Sequence, residues 1–464
     1  MTTSIACDVL VVGGGNAAMA AALSARDHGA SVIVVERAPR FYRGGNSRHT
    51  RDFRIMHTRT TEHMLDVYPP EEFLDDLRRV AGGEMDEELA RLVVERSEGL
   101  PMWLSQQGVR WQEPLSGTLH LARTNLFMLG GGRAMMNAYY RTAEKKGIQI
   151  WYEAMVEDIE VTAGVFGGAQ IRRGGEVCLV RASAVVFAAG GYEANIDWLR
   201  QHWGDAADNF VIRGTRYNQG NVIDLLLAAG ATPIGHPRAF HAVAVDGRAP
   251  KFDGGIVTRL DSVPFGIVIN LDCERFYDEG EDFWPKRYAI WGGLIARQQE
   301  QVAYSIIDSK VIDKFMPSVF PPMMAHSIAD LAMQLGLDAD RVQATVDAYN
   351  AAVQPGNFRP DALDDCHTVG IDPPKSHWAQ RIDTPPFYAY PLRAGITFTY
   401  RGVRIQRDAR VQLVGGDAMG NVFAAAKWWR AMCYAEAISR LWSDDGRGFW
   451  QDRRGGSSSC RTMN

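Results

Sequence analysis

Cysteine is scarce in this chain. Six occur among 464 residues (Cys7, Cys178, Cys273, Cys366, Cys433 and Cys460), and none form a CxxC pair. That scatter gives no footing to a disulfide framework, a zinc ribbon or an Fe–S cluster of the chain's own. No uninterrupted apolar run reaches the roughly 18 residues that a membrane span needs. Neither charge sign dominates: 50 Lys and Arg stand against 55 Asp and Glu, a net charge of −5. A basic nucleic-acid footprint is therefore absent, and no nucleic-acid partner is expected. No basic segment or cleavage site precedes the first apolar run in MTTSIACDVLVV, so the expected setting is cytoplasmic and reducing. Internal repeats and long low-complexity tracts are also missing. What remains is an ordinary globular composition, 46% hydrophobic, long enough for about three domains or two with one large.

The first fifty residues carry the strongest pattern. Val9-Leu10-Val11-Val12 is a short apolar run of the kind buried on both faces of a parallel sheet. Gly13-Gly14-Gly15 follows, then an alanine-rich stretch from Asn16 to His28 that predicts a helix ending at Gly29. A second run, Ser31 to Val35, closes on Glu36 and Arg37. The unit reads as βαβ with the fingerprint Gly13-x-Gly15-x-x-Ala18. Gly13 makes the turn, Gly15 admits a pyrophosphate, and small Ala18 lets the helix approach the strand. Asn16 and Ala17 open a helix whose free N–H groups face that phosphate. Glu36 lies where an acid accepts both ribose hydroxyls, which favours FAD or NAD over a phosphorylated ribose. Further on, Gly44-Gly45-Asn46-Ser47 suits a loop pressed against a ring or phosphate. Gly130-Gly131-Gly132 opens a helical stretch ending near Lys146, and Val185 to Phe187 runs into Ala188-Ala189-Gly190-Gly191. Each alone is as well read as a turn; their order is what matters.

These stretches resemble the flavoprotein family of fumarate reductases, succinate dehydrogenases and ketosteroid dehydrogenases. The likeness rests on DVLVVGGGNAAMAAALSA, GGNS at 44–47, GGG at 130–132 and FAAGGYEAN at 187–195, and runs from about residue 6 to 426. Within the family, RGGNSRHTRDFR, PLSGTLHLARTN, GGIVTRLD, RFYDEGEDFWPKRYAIW and GITFTYRGV look most like the branch that oxidises tricarballylate. The resemblance implies an α/β fold with an α+β cap: a discontinuous Rossmann-like FAD-binding domain and an inserted capping domain. The expected boundaries are 1–235 and 375–426 for the FAD domain and 236–374 for the cap. It implies FAD as cofactor, contacted by the glycines above and by Val156. It also implies a small polycarboxylate substrate, oxidised in the manner of tricarballylate to cis-aconitate with hydride passing to flavin N5. Electrons would leave through a membrane-bound iron–sulfur partner, which would hold the protein at the inner face of the membrane.

The resemblance also names site residues. Arg287 falls where fumarate reductases place a proton-delivering arginine, with Arg259 and Asp261 as its relay. A salt bridge from Arg287 to Glu279 or Asp282 is the competing reading. His241 matches a cap-side histidine that binds a substrate carboxylate. Thr397 and Thr399 occupy a stretch where the family carries a histidine–threonine pair, with Phe398 in the histidine's place. His49 is a candidate substrate or surface residue. The histidine that bonds flavin in succinate dehydrogenases aligns with Asn46, so FAD is expected to be non-covalent. Other substrates in the same fold (a ketosteroid, fumarate, succinate or a corrin precursor) and an inactive nucleotide-binding chain are the alternatives.

The pattern breaks after Ala425. The family's final stretch reads Gly-Glu, then a glycine turn and a flavin-facing helix; here the chain reads Ala426-Lys427-Trp428-Trp429-Arg430. One back-translation, read one nucleotide out of phase, restores a Gly-Glu motif. Residues 427–464 are therefore expected to be non-family sequence, with weakened FAD retention as the consequence.

Overall fold

The computed structural model describes residues 4–81, 85–114 and 121–425. Its first strand, β1 (Ser4–Val12), has its last four residues buried, as a run covered on both faces demands. The helix α1 (Asn16–Asp27) follows after one glycine turn and buries nine of its residues, mostly alanines. β2 (Val32–Val35) pairs parallel with β1. Strand Glu176–Phe187 pairs parallel on the other side of β1, and strand Ala418–Ala424 pairs parallel with that one. The start of the chain and its residues near 420 thus share one eight-stranded sheet, with Gln149–Trp151 at the far edge. The turns at Gly13–Gly15 and Gly190–Gly191 follow the carboxyl ends of the parallel strands β1 and Glu176–Phe187, which places the cleft beyond that edge.

A second, six-stranded sheet is ordered Phe240–Asp246, Phe387–Thr399, Val302–Asp308 and Ile267–Ile269, with two short strands added to Phe387–Thr399. This alters one expected boundary. Phe387–Thr399 lies past residue 375 but pairs along its length with cap strands, and its buried Phe387, Ala389, Tyr390 and Leu392 complete the cap clusters. The expected helix at 338–352 is present as Ala339–Ala352, capped by the Asp338 side chain. Helices Pro70–Ala81 and Glu87–Ser97 pack together around Phe73, Leu74 and Val94, and Leu100–Gln106 joins the core beside β1 and α1 through Leu104. No described helix is long and apolar enough to cross a membrane. Residues 427–464, with Cys433 and Cys460, lie outside the described residues; the four described cysteines are free thiols.

Candidate active site

The glycine turn is held from behind. Gly13 sits at φ 116°, a left-handed conformation, and a Cβ there would overlap the Ala188 carbonyl. A Cβ on Gly14 would overlap the Glu36 carboxylate and the Tyr140 hydroxyl, and that hydroxyl donates to the Gly14 carbonyl at 2.8 Å. The 44–47 turn closes over Gly15: Gly45 approaches its Cα so nearly that an added methyl would lie 3.7 Å away. Ser47 Oγ accepts from Asn16 N at 2.9 Å and caps α1 from outside. Glu36 is 5% exposed. Burial pushes its carboxyl up, and the N–H groups of Ala38 and Gly44 oppose that. A buried acid so placed favours further donors, such as a pair of hydroxyls.

These residues line a cleft enclosing about 1110 Å³, open solvent included. Of the residues expected at the cofactor, Gly13, Gly14, Gly15, Asn16, Ala17, Glu36 and Arg37 line it. So do Gly45, Asn46, Ser47, Val156, Ala189 and Gly190. Ala18, Gly44, Gly131 and Gly132 do not. Ala18 is fully buried under α1. Gly44 takes a left-handed turn and its N–H faces Glu36. Gly132 N donates to Thr50 O at 2.6 Å, so the start of that helix packs on the 44–50 loop, and the helix reaches the cleft through Met135 instead. Asn16 Oδ1 is buried at the cleft wall without a hydrogen-bond partner. A glycine cradle, a buried acid and that orphaned acceptor fit the ADP half of FAD. Sequence reasoning missed Thr215, Tyr217, Asn218 and Asn221, which also line the cleft; the nearby signal was Gly220, the N-cap of the helix that Asn221 opens and that the three others precede.

A second cleft, about 1340 Å³ with open solvent, adjoins the first and shares Asn46, Thr50, Phe53, Thr397 and Phe398 with it. Asn46 forms the seam. Its Nδ2 donates to Glu193 Oε1 at 3.1 Å and Thr397 O at 2.5 Å, and its Oδ1 accepts from Thr215 N at 2.8 Å. His49, His241, Arg259 and Thr397, expected at the substrate, all line this cleft. His49 Nε2 meets Asp253 Oδ1 at 2.8 Å. His241 stacks on Phe398 with centroids 4.7 Å apart. Arg259 and Asp261 form a buried pair, Nη2 to Oδ2 at 2.9 Å, and Trp284 Nε1 donates to Asp261 Oδ1 at 2.5 Å.

Two expected residues lie elsewhere. Thr399 is fully buried and its Oγ1 accepts from Tyr192 N at 3.0 Å, so it lines neither cleft. Arg287 lines neither cleft as well. Its Nε donates to Glu281 Oε2 at 2.8 Å and its Nη2 to Tyr277 Oη at 3.0 Å. The carboxylate of the competing ion-pair reading is therefore Glu281, six residues before it along a turn that curls back. The next residue, Tyr288, lines the cleft instead, with the Arg259 guanidinium 4.7 Å from its ring centroid.

Cations crowd this end. Burial draws the Arg213 guanidinium down to about 10, with Arg259 and Arg51 adding to the effect. Burial lowers Arg51 too, Arg259 next. Burial also opposes the charge on Arg259, but Asp261 outweighs it and holds Arg259 up. Asp261 is held down against its own burial by Arg259 and Arg51. Among the described arginines and lysines lining the cleft, Arg259, Lys286 and Arg54 each have a carboxylate within 4.0 Å. Arg213 does not: its Nη1 donates to Thr397 Oγ1 at 3.2 Å and its Nε is buried without a partner.

A two-sheet α/β fold with a dinucleotide cleft opening into a cationic one defines a nucleotide-dependent flavoprotein architecture. Residues 8–426 match the family model of the FAD binding domain, and the chain belongs to that family, with FAD as its cofactor. It is 25% identical to the NADH:fumarate oxidoreductase of Klebsiella pneumoniae over 439 residues, covering 90% of this chain and 44% of that protein. It is 23% identical to the vinyl phenol reductase of Lactiplantibacillus plantarum, covering 90% and 89%. The chain spans less than half the length of the first curated relatives it matches. The fold is shared with a flavocytochrome c3 fumarate reductase (TM-score 0.69, 20% identity, 95% of this chain and 79% of that one). It is shared also with a 3-ketosteroid delta1-dehydrogenase of Sterolibacterium denitrificans (TM-score 0.73, 17% identity, 94% and 99%).

Proposed function

We propose that this protein is an FAD-dependent oxidoreductase acting on a CH–CH bond beside a carboxylate. The observation that carries the reading is the shared wall: Asn46, Thr397 and Phe398 border both the dinucleotide cleft and the cationic cleft. A ligand in one therefore abuts a ligand in the other. FAD, when bound, supplies the two-electron acceptor or donor for the neighbouring carbon. Glu36, Asn16 and the glycine turn would hold its ADP half, without a covalent bond, since Asn46 stands where a linking histidine would be. Arg213 and His241 bind and orient the substrate carboxylate. Tyr288, beside the Arg259–Asp261 pair, gives its phenolic proton to the adjacent carbon in the reductive direction and, as phenolate, takes it back in the oxidative one. Arg287 stands behind it, joined to Tyr277 and Glu281.

The sequence resemblance nominates tricarballylate, oxidised to cis-aconitate, with an iron–sulfur protein as electron partner. A second reading, the same chemistry on another carboxylate, is favoured by a specific observation: of the described arginines and lysines lining the cleft, Arg213 is the one without a carboxylate partner. The test is a purified protein assayed for flavin absorbance and for dye reduction with tricarballylate, citrate, succinate and a steroid. Retained flavin and turnover of a carboxylate support the reading; retained flavin with no change on any CH–CH substrate overturns it. Intact mass after denaturation should equal the protein alone.

A further inference from the structure

One stretch of the second cleft's lining is apolar, and it is built by repeat spacing. Phe73, Leu77 and Val80 fall at i, i+4 and i+7 on one helix, so one stripe of that helix faces the cleft. Val93, Ser97 and Leu100 repeat the same spacing on the helices packed behind. The one hydroxyl among them is already used: Ser97 Oγ donates to Val94 O at 2.7 Å and accepts from Met56 N at 2.9 Å. This wall offers a ligand contact area and no hydrogen bond.

From this cleft we infer that the substrate carries one carboxylate and a flat hydrocarbon body of phenyl size or larger, and is not a tricarboxylate. The inference rests on the function proposed above and narrows its substrate. A carboxylate placed on Arg213 meets a buried guanidinium with an unmet N–H, which is the arrangement that rewards an anion most. A second or third carboxylate has no such partner. Arg259 is satisfied by Asp261, Lys286 by Glu72 and Asp76, Arg54 by Asp76 and His49 by Asp253, while His241 serves the same carboxylate as Arg213. Extra carboxylates would lie against Phe73, Leu77 and Val93, where an unpaired charge is strongly disfavoured. An aryl body there removes apolar surface from water on both sides.

The experiment is calorimetric titration of the FAD-supplemented protein with 3-phenylpropionate, cinnamate, succinate and tricarballylate. The aryl acids should bind at least about 10-fold more tightly than tricarballylate. Arg213→Gln should weaken the aryl acids by about 10- to 100-fold, the usual weight of a charge-assisted bond. Leu77→Asp, a half-buried position at the cleft wall, should weaken them by about 10-fold or more while leaving Arg213 in place. Far-ultraviolet circular dichroism confirms that each variant is folded. Tighter binding of tricarballylate, no binding of any aryl acid, or an unchanged Leu77→Asp overturns the inference. The function reading fails by a different sign, the absence of any flavin spectral change with CH–CH substrates in protein that holds FAD.

Discussion

Replacing Asp261 with asparagine should destabilise the protein severely. The side chain is 5% exposed, joined to Arg259 by a two-point ion pair and to Trp284 by a hydrogen bond. Asparagine keeps the shape and one acceptor but removes the charge. Arg259, 7% exposed, would then stand uncompensated beside Arg51 and Arg213. Breaking a buried pair from one side costs about 3–5 kcal/mol, because the remaining charge stays desolvated. At a urea slope of about 3 kcal/mol/M, the midpoint should fall by about 1–1.7 M. The sign with pH follows from the same pair. The Asp261 carboxyl is held below its ordinary value in the folded protein. Its contribution is therefore complete above the unfolded value and lost as pH falls through the folded one. Acid sensitivity in that window should be smaller in Asp261→Asn than in the parent. A cycle with Arg259→Met completes the test: the double variant should be more stable than the sum of the singles. Equal midpoints for parent and Asp261→Asn, or strict additivity in the cycle, would refute the reasoning.

Gly14→Ala should weaken FAD binding by about 10- to 100-fold in a fluorescence titration, since overpacking against Glu36 and Tyr140 costs about 1–3 kcal/mol; unchanged affinity would remove the cradle from the cofactor site. Glu72, on helix Pro70–Ala81, joins Arg123 to Lys286 of the cap, and those partners hold its carboxyl down to about 2. That link should persist as pH falls past 4.5 and fail only near 2, whereas Glu72→Gln should quicken hydrogen exchange at 284–290 already at neutral pH. Tyr288→Phe should lower turnover by about 10²- to 10⁴-fold with FAD and substrate binding retained; full turnover would take the proton away from Tyr288.

The dinucleotide half was legible because its chemistry is local. Gly13 to Ala18, the alanine helix and Glu36 lie within one βαβ unit, where spacing in sequence is spacing in space. The 215–218 stretch was not, because Thr215, Tyr217 and Asn218 reach the cleft only through the pairing of Val211–Ile212 with Phe387–Thr399. Arg287 shows the limit of motif spacing in another way. The short helix Trp284–Arg287 turns successive residues outward in different directions, so Lys286 and Tyr288 reach the cleft while Arg287 closes on Glu281. The apolar wall left a readable period at 73, 77 and 80, but a helical stripe does not say whether it faces a core or a cavity.

Phe387–Thr399 is one unbroken span of thirteen residues. Its early part threads the middle of the upper sheet, and its last residues are the partition between the two chambers. Its pairing with Phe240–Asp246 shifts register between His241 and Ala242, beside Thr397. The strand that completes the cap sheet thus also sets the partition, so a change in its register would carry Thr397 and Phe398 with it.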